Sequence, residues 1–319
     1  MPPPFPEIEL EDAPCPLGCA GGDDVVLFGH DRLQGLPGRF RVVRCRGCAL
    51  MRTNPRPARS SMGAYYLPEY GPYLGTRVTA QTDAPRSLWR RAARRLFPFN
   101  AERLPPLAPG RMLEVGCASG AFMHRMAARG WEVEGIEFSA EAAAAARPLG
   151  HPVHAGPLET APSPAAPYDL VVAWMTLEHL HDPVLGLRKL RGWTRKGGWL
   201  VASVPNAGAL EFRVFKDAWY ALHLPNHLYH FTPKTVDRVL GRAGWRVERI
   251  FHQRLLGNLV ASIGYRMQDR GCPPRLTRPL VDFPEKARLG HLVLLPVAGV
   301  LGGLGQTGRM TIWARPIDD

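Results

Sequence analysis

Lysine is scarce in this chain of 319 residues, and most of the positive charge is arginine. Lys+Arg number 40 against Asp+Glu 28, which gives a formal net charge of +12. This balance suits anionic partners: phosphorylated small molecules, nucleic acid or anionic lipid. An arginine-rich genome would produce the same balance, so charge alone does not choose a function. The lysines are Lys189, Lys196, Lys216, Lys234 and Lys286.

Long apolar runs are also lacking, although 45% of the residues are hydrophobic and can form a sizeable core. No stretch of about 18 apolar residues occurs, so we expect no transmembrane helix. The segment Met1–Pro6 has neither a charged start nor an apolar centre, so we expect no signal peptide. These features predict a cytoplasmic protein, with peripheral membrane contact left open.

Cysteine is limited to six residues, four of which form two close pairs, Cys15/Cys19 and Cys45/Cys48. Paired cysteines at two tight turns can present four thiolates to one tetrahedral Zn²⁺. Val25–Phe28 and Phe40–Val43, between the pairs, resemble two short strands. The sequence therefore predicts a structural zinc ribbon over 1–60, the alternative being four unrelated thiols.

A strand, a glycine turn and a helix follow one another at residues 112–128. Met112–Val115 is a short apolar run, Gly116 and Gly120 allow a tight turn, and a helical segment begins at Ala121. Such a turn lets a nucleotide-like ligand lie close to the main chain. Glu114, just before the turn, is placed to hold a cation or a donor group there.

An acidic residue ends the next apolar segment, roughly 20 residues further on. Glu137 follows Trp131–Ile136, and an acid at the tip of a second strand can accept both hydroxyls of a ribose. Strands and helices go on alternating to residue 251, which predicts a largely parallel sheet. Ligands of such sheets bind beyond the carboxyl ends of the strands.

These segments resemble the motifs of class I S-adenosylmethionine-dependent methyltransferases, in particular the ubiquinone/menaquinone-type enzymes that act on small molecules. The resemblance covers roughly 15–251 and implies a Rossmann-like seven-stranded sheet of order 3-2-1-4-5-7-6, with the seventh strand antiparallel. In some members a cysteine-pair module, followed by a stretch like Asn54–Pro57, precedes the domain. The matching segments are Leu113–Gly120, Tyr168–Val172, Leu177–Pro183, Gly197–Asn206 and His230–Pro233.

The resemblance also implies a cofactor site for S-adenosylmethionine. Glu137 would bind the ribose hydroxyls, and Phe138 would pack on the adenine. Pro157 stands near the place where members often offer an Asp to the adenine, so main chain or Glu159 would serve there. The residues implied around the methionine end and the sulfonium are Glu114, Gly116, Cys117, Ala118, Gly120, Met175 and Thr176.

Methyl transfer needs alignment and, for some acceptors, a base. His179 is the candidate base because it follows the fourth strand, and Glu178 could orient it or help bind a divalent ion. The alternative is that both cap the following helix. His223, His227 and His230 could bind metal, but without an acid partner in their loop local hydrogen bonding is preferred.

The remaining segments complete the predicted organisation. A linker and a basic amphipathic helix (87–97) occupy 61–110, either as a lid for phosphate or anionic lipid or as a docked helix with a solvated basic face. The methyltransferase core spans 111–251. An apolar insertion covers 252–307, for which we favour a buried cap helix over a pocket wall, a dimer face or a membrane contact. The last strand and tail are 308–319.

Three functions compete at this point. The first is methyl transfer to oxygen, or to carbon, of a small molecule such as a biosynthetic intermediate, a lipid-linked molecule or a sugar. The second is nucleic-acid methylation that uses the zinc module and the arginine-rich helix; Val204–Asn206 lacks the motif typical of base methylation. The third is a non-catalytic scaffold, which the intact glycine turn and Glu137 oppose. The sequence is silent on oligomeric state.

Overall fold

The computed structural model describes residues 5–67 and 103–317. The predicted basic helix at 87–97 lies outside the described residues, as does most of the 61–110 segment. The described strands are, in chain order, β1 Leu10–Glu11, β2 Asp23–Gly29, β3 Phe40–Cys45, β4 Met51–Thr53, β5 Arg56–Pro57, β6 Arg111–Val115, β7 Glu132–Glu137, β8 Val153–Ala155, β9 Tyr168–Trp174, β10 Thr194–Pro205, β11 Tyr229–His230, β12 Trp245–His252 and β13 Arg309–Pro316.

Helices join these strands on both sides of the main sheet. The described α-helices are α1 Ala121–Ala127, α2 Ala140–Ala146, α3 Pro183–Trp193, α4 Leu210–Phe215, α5 Pro233–Arg242, α6 Gly257–Asp269, α7 Pro274–Val281, α8 Phe283–Lys286, α9 Arg288–Val293 and α10 Leu295–Gly303. Two helices begin at residues that favour N-caps. Ser139 Oγ accepts from Ala142 N at the start of α2, and Thr232 caps α5 with Pro233 in the first turn.

Seven strands form the main sheet, in the order β12-β13-β10-β9-β6-β7-β8. Neighbours from β8 to β10 pair in parallel, and β13 runs antiparallel to both of its neighbours. This is the predicted order 3-2-1-4-5-7-6, which is confirmed. Leu170–Ala173 in the centre of β9 are fully buried, as a parallel strand covered on both faces requires.

The N-terminal module has its own four-stranded sheet, β11-β4-β3-β2, and the predicted strands at 25–28 and 40–43 lie within β2 and β3. Its fourth strand, β11, comes from the loop after β10 of the core, where Tyr229 pairs with Arg52. Phe40 and Leu50 of the module belong to the same buried cluster as Leu200 of the main sheet. The module and the core therefore share one hydrophobic core.

Helices α6–α10, which we call the cap, form the segment between β12 and β13, where the sequence predicts an insertion. The favoured expectation of a buried cap helix is wrong for α10, in which Ala298 is the buried residue. Val297 and Val300 are 53% and 64% exposed, so most of this apolar helix faces outward. Within residues 5–67 and 103–317, no helix has the length and apolarity needed to cross a membrane.

Candidate functional site

The glycine turn links β6 to α1 at the carboxyl edge of the sheet. Gly116, Ala118 and Gly120 all have positive φ, at 73°, 47° and 80°. A Cβ at Gly116 would lie 2.5 Å from Thr176 Oγ1, so only glycine fits. Cys117, between them, is buried among β7 and α1 side chains, and burial raises the pKa of its thiol.

Two carboxylates lie against this turn. Glu137 Oε2 accepts from Ala118 N at 2.8 Å, and its Oε1 accepts from Ser139 N at 2.9 Å. Glu114 Oε2 accepts from Met123 N at 3.2 Å, inside α1. Both carboxylates are 4% exposed, and both line one large cavity. The backbone contacts fix the orientation of each carboxylate, and each oxygen can accept more than one hydrogen bond.

The loop after β9 closes the other side of the turn. Thr176 Oγ1 donates to Val115 O at 3.0 Å, which ties the tips of β9 and β6 together. Met175 has a positive φ of 53° and lines the cavity beside Thr176. Phe138 is 45% exposed, also lines the cavity, and its ring centroid lies 5.6 Å from that of Tyr66.

The cavity has a volume of about 900 Å³. Its walls come from the glycine turn, the β7 and β9 loops, the loop after β10, the N-terminal module and the cap helices. Each of the nine residues that sequence reasoning assigned to the cofactor either lines it or belongs to the turn. The lining members are Glu114, Gly116, Cys117, Ala118, Glu137, Phe138, Met175 and Thr176; Gly120 ends the turn below them.

Three histidines form a cluster on the cavity wall. His179 Nδ1 lies 2.9 Å from Tyr66 Oη, and the His179 ring is 4.7 Å from the His227 ring. His227 Nδ1 lies 2.9 Å from Ala221 O; because a carbonyl only accepts, this nitrogen carries the hydrogen. The Nε2 lone pair of His227 therefore accepts from His223 Nδ1, at 3.3 Å.

Burial keeps these rings neutral. Desolvation lowers the pKa of His179 to about 4, partly offset by the backbone of Asn226. Desolvation likewise lowers the pKa of His223 to about 3, with the neighbouring His179 adding to the effect. The expected local hydrogen bonds are present: His223 bonds to His227, and His230 Nε2 lies 3.3 Å from Thr53 Oγ1.

Glu178 lies beside this cluster and is not one of the residues that line the cavity. It is fully buried, and neither carboxylate oxygen has a hydrogen-bond partner among the described residues. Burial raises the pKa of Glu178 to about 8. Its Oε1 is 4.0 Å from His227 Nε2, so the fold supplies the acid neighbour that the histidine loop itself lacks. The ligand atoms of Glu178, His179 and His227 all lie within 4.8 Å of one another.

The four paired cysteines converge at one point of the N-terminal module, away from the cavity. Their sulfur atoms all lie within 4.8 Å of one another, and Cys15 Sγ is 3.5 Å from Cys48 Sγ. Backbone amides of Cys48 and Gly47 lower the pKa of Cys45 against the opposing effect of burial. Four converging sulfurs with donor support fit a tetrahedral Zn²⁺ site with Zn–S of about 2.3 Å.

Among the cavity residues that sequence reasoning missed are Tyr66 and Arg309, which carry polar groups. Tyr66 was recognised only as part of an aromatic loop, and its bond to His179 depends on how the module packs on the core. Arg309 was recognised only as the start of the last strand, and it lines the cavity. No local motif marks either residue.

Comparisons with known proteins agree on one family. The family described as "Methyltransferase domain" matches residues 86–250, about half of the chain. A malonyl-[acyl-carrier protein] O-methyltransferase of Serratia marcescens is 27% identical over 184 residues, covering 57% of this chain and 69% of the relative. A ubiquinone biosynthesis O-methyltransferase of Aromatoleum aromaticum is 34% identical over 156 residues, and the match covers 45% of this chain and 67% of the relative.

A third relative has a different kind of acceptor in its name. A tRNA U34 carboxymethyltransferase of Shewanella piezotolerans is 37% identical over 140 residues. The match covers 41% of this chain and only 40% of that relative.

Proposed function

The chain belongs to the methyltransferase-domain family of S-adenosylmethionine-dependent enzymes, and from this premise we propose that it methylates a small molecule in the cavity beside the glycine turn. The acceptor atom is oxygen, with carbon as the alternative. The observation that carries the proposal is the cavity itself, which joins the glycine turn to the histidine cluster. Its volume of about 900 Å³ is near the upper end of the range for small-molecule pockets, roughly 300–1,000 Å³.

S-Adenosylmethionine supplies an electrophilic methyl group on a good leaving group. In this proposal Glu137, oriented by Ala118 N and Ser139 N, accepts the ribose hydroxyls, because each carboxylate oxygen can accept more than one hydrogen bond. Phe138 offers a half-exposed aromatic face to the adenine. The turn residues and Glu114 hold the methionine end, and Met175 and Thr176 close the pocket around the sulfonium.

In this scheme Tyr66 Oη takes the acceptor's proton while its own proton passes to His179 Nδ1. Neutral His179 accepts a hydrogen bond from Tyr66, and Tyr66 in turn faces the acceptor. Because the pKa of His179 lies near 4, this residue is a weak base, and the proposal favours acceptors that lose a proton readily. Phenols meet this condition better than ordinary alcohols, and carboxylic acids are already ionised at neutral pH and need no base. Glu178 acts through His227 as a positioning residue.

Nucleic-acid methylation receives less support from the described residues. Several arginines of the N-terminal module contact carboxylates of this chain: Arg52 pairs with Asp23, Arg56 with Glu11, and Arg46 with Asp24. Side chains held in this way contribute little to a phosphate-binding surface.

Zinc at the four cysteines is part of the same proposal, as a structural ion that holds the N-terminal module in place. Four thiolates close the coordination shell, so the site has no open position for catalysis.

The test is a calorimetric titration with S-adenosylhomocysteine, followed by an assay of labelled methyl transfer. Replacing Glu137 by Gln removes the anionic acceptor, and we expect binding to weaken roughly 10- to 100-fold. Glu132→Gln is the matched control, because Glu132 lies on the same strand and its side chain is 66% exposed beside Arg111. The transfer assay offers para-substituted phenols, carboxylic acids and bulk tRNA in parallel. Label found in tRNA alone would reject the small-molecule proposal.

A further inference from the structure

Arg309 is the first residue of β13, and it places a cation in the half of the cavity away from the cofactor turn. Because β13 runs antiparallel to β10, its first residue lies at the carboxyl edge of the parallel strands, paired with Pro205. Two strand spacings, about 10 Å, separate β13 from β9, whose loop carries His179.

The guanidinium of Arg309 has few protein partners. Its Nη2 donates to Asn258 Oδ1 at 3.4 Å, and no ion pair of Arg309 occurs among the described residues. Arg32, which also lines the cavity, differs because it is paired with Asp217 and Asp269. Asp217 is further engaged by Arg266.

Asn258 adds a second, independent observation. This side chain is 5% exposed, and its Nδ2 group has no hydrogen-bond partner among the residues that the structure describes. A buried amide donor without an acceptor is costly unless a ligand or water completes it. The Oδ1 atom of the same amide accepts from Arg309, so Asn258, which is not one of the residues lining the cavity, helps to position the guanidinium that is.

The two buried carboxyl groups that interact with Arg309 neutralise its charge only in part. Burial raises the pKa of Glu178 to about 8 and that of Glu211 to about 7, while the charge of Arg309 opposes both shifts. Glu285 also lines the cavity but is exposed to solvent. Around neutral pH Glu178 and Glu211 are therefore largely or partly protonated.

We propose that Arg309, supported by Asn258, binds an anionic group of the methyl acceptor, a carboxylate or a phosphate about 10 Å from the methylated atom. This inference rests on the function proposed above and narrows its substrate class. Arginine binds both anions through charge-assisted hydrogen bonds, which are stronger than neutral ones. An acceptor of this kind spans the cavity, with its reactive end at Tyr66 and His179.

The experiment compares para-hydroxyphenylpropanoate with para-hydroxyphenylpropanamide, which differ only in the charge of one end. Each is titrated calorimetrically into the full chain saturated with S-adenosylhomocysteine. We expect the acid to bind roughly 10- to 100-fold more tightly than the amide. A third titration with para-hydroxyphenylethyl phosphonate identifies which of the two anions the site prefers.

Variants of Arg309 test whether this residue causes the tighter binding of the acid. R309Q should bind acid and amide equally, and R309K should keep part of the preference. R246Q is the control, because Arg246 is exposed on β12 and pairs with Glu248 outside the cavity. Unchanged binding of S-adenosylhomocysteine shows that each variant is folded.

Three results would overturn the inference: equal affinity for acid and amide in the parent protein, discrimination that persists in R309Q, or no binding of either anion. Each presupposes that S-adenosylhomocysteine binds. Failure of that first titration would instead reject the proposed function, and the inference with it, so the two failures are distinguishable.

Discussion

Gly116 combines a left-handed backbone with a close neighbour, and these two constraints can be separated. A Cβ there would lie 2.5 Å from Thr176 Oγ1, which is fixed by its bond to Val115 O. We predict that Gly116→Ala destabilises the fold and greatly weakens S-adenosylhomocysteine binding, because strain of about 1 kcal/mol is joined by a steric clash. Thermal unfolding and calorimetric titration measure the two effects.

Gly150 provides the matched control for this prediction. It has a similar φ of 78°, but a Cβ there meets nothing within 4 Å. Gly150→Ala should therefore show the backbone strain alone and should leave cofactor binding intact. Equal effects from the two variants would mean that the approach of Thr176 is unimportant.

Glu211 is a buried carboxyl group whose titration should appear in the stability of the protein. It accepts from Trp219 Nε1 at 3.3 Å and from Gly308 N at 3.1 Å, yet burial raises its pKa to about 7. Between the unfolded value near 4.5 and about 7, the folded state retains a proton that the unfolded state releases. The contribution of Glu211 to stability is thus complete below the unfolded pKa and is lost as the pH rises through 7.

Glu211→Gln should remove this pH dependence. We predict that the variant gains stability relative to the parent as pH increases from about 4.5 to about 7, with a constant difference above that window. Denaturant unfolding at a series of pH values measures the difference between the two proteins. A difference that is independent of pH would show that Glu211 already ionises normally in the folded state.

At the scale of single residues, the sequence predicts what is local. The glycines of the turn and the acid at the end of the second strand follow from spacing, because a strand-turn-helix unit places them without help from the rest of the chain. The approach of Glu178 to His227, and of Tyr66 to His179, depends on packing between distant segments. The functional roles assigned to Glu178 and His179 stay predictions.

At the scale of elements, apolar runs and helix caps were enough to predict the strands of the main sheet and the starts of its helices. Buried parallel strands must be apolar on both faces, so β6 and β9 stand out in the sequence, and Ser139 and Thr232 mark helix starts. The strand β11 has no such signal. Tyr229 and His230 form a strand only because β4 of the module pairs with them.

This pairing connects the cysteine cluster to the cavity. Thr53, at the end of β4, donates through Oγ1 to His227 O at 2.8 Å and through its backbone to Leu228 O at 2.9 Å. If the proposed zinc is present, removing it should loosen β4 and expose these bonds to solvent. We predict faster hydrogen exchange at residues 227–230 in Cys45→Ser, together with loss of one zinc per chain.

Exchange in α2 provides the internal control, since this helix lies at the far edge of the main sheet beside β8. Zinc is counted by elemental analysis of the purified protein. Unchanged exchange at 227–230 in a zinc-depleted protein would mean that the module packs on the core without help from the ion. A parent protein that contains no zinc would reject the metal site itself.

At the scale of the whole molecule, the arginines that the structure describes fall into two groups, those paired with carboxylates and those without such a partner. Ion pairs such as Arg52–Asp23 and Arg32–Asp269 hold the module together and attach it to the cap. Arg309 is the contrasting case, a cation inside the cavity without a carboxylate partner among the described residues. The net charge of +12 therefore does not translate into one basic surface, and composition alone could not separate these two groups.

For the cap helix α10, the prediction from sequence that an apolar segment is buried was wrong. An apolar segment is expected to be buried, but α10 lies on the outside, with Val300 64% exposed and Ala298 1% exposed. We predict that Val300→Asp changes the free energy of unfolding by less than about 0.5 kcal/mol, as is usual for surface positions. Ala298→Asp should cost roughly 3 kcal/mol or more, because it buries an unpaired carboxylate.

Denaturant unfolding of the two variants at low protein concentration measures both values. The comparison is matched, since the two positions lie on the same helix and receive the same side chain. A large loss of stability in Val300→Asp that grows as the protein is concentrated would show that copies of the chain cover this face in solution. A large loss that is independent of concentration would mean that α10 packs against the same chain, as the sequence first suggested.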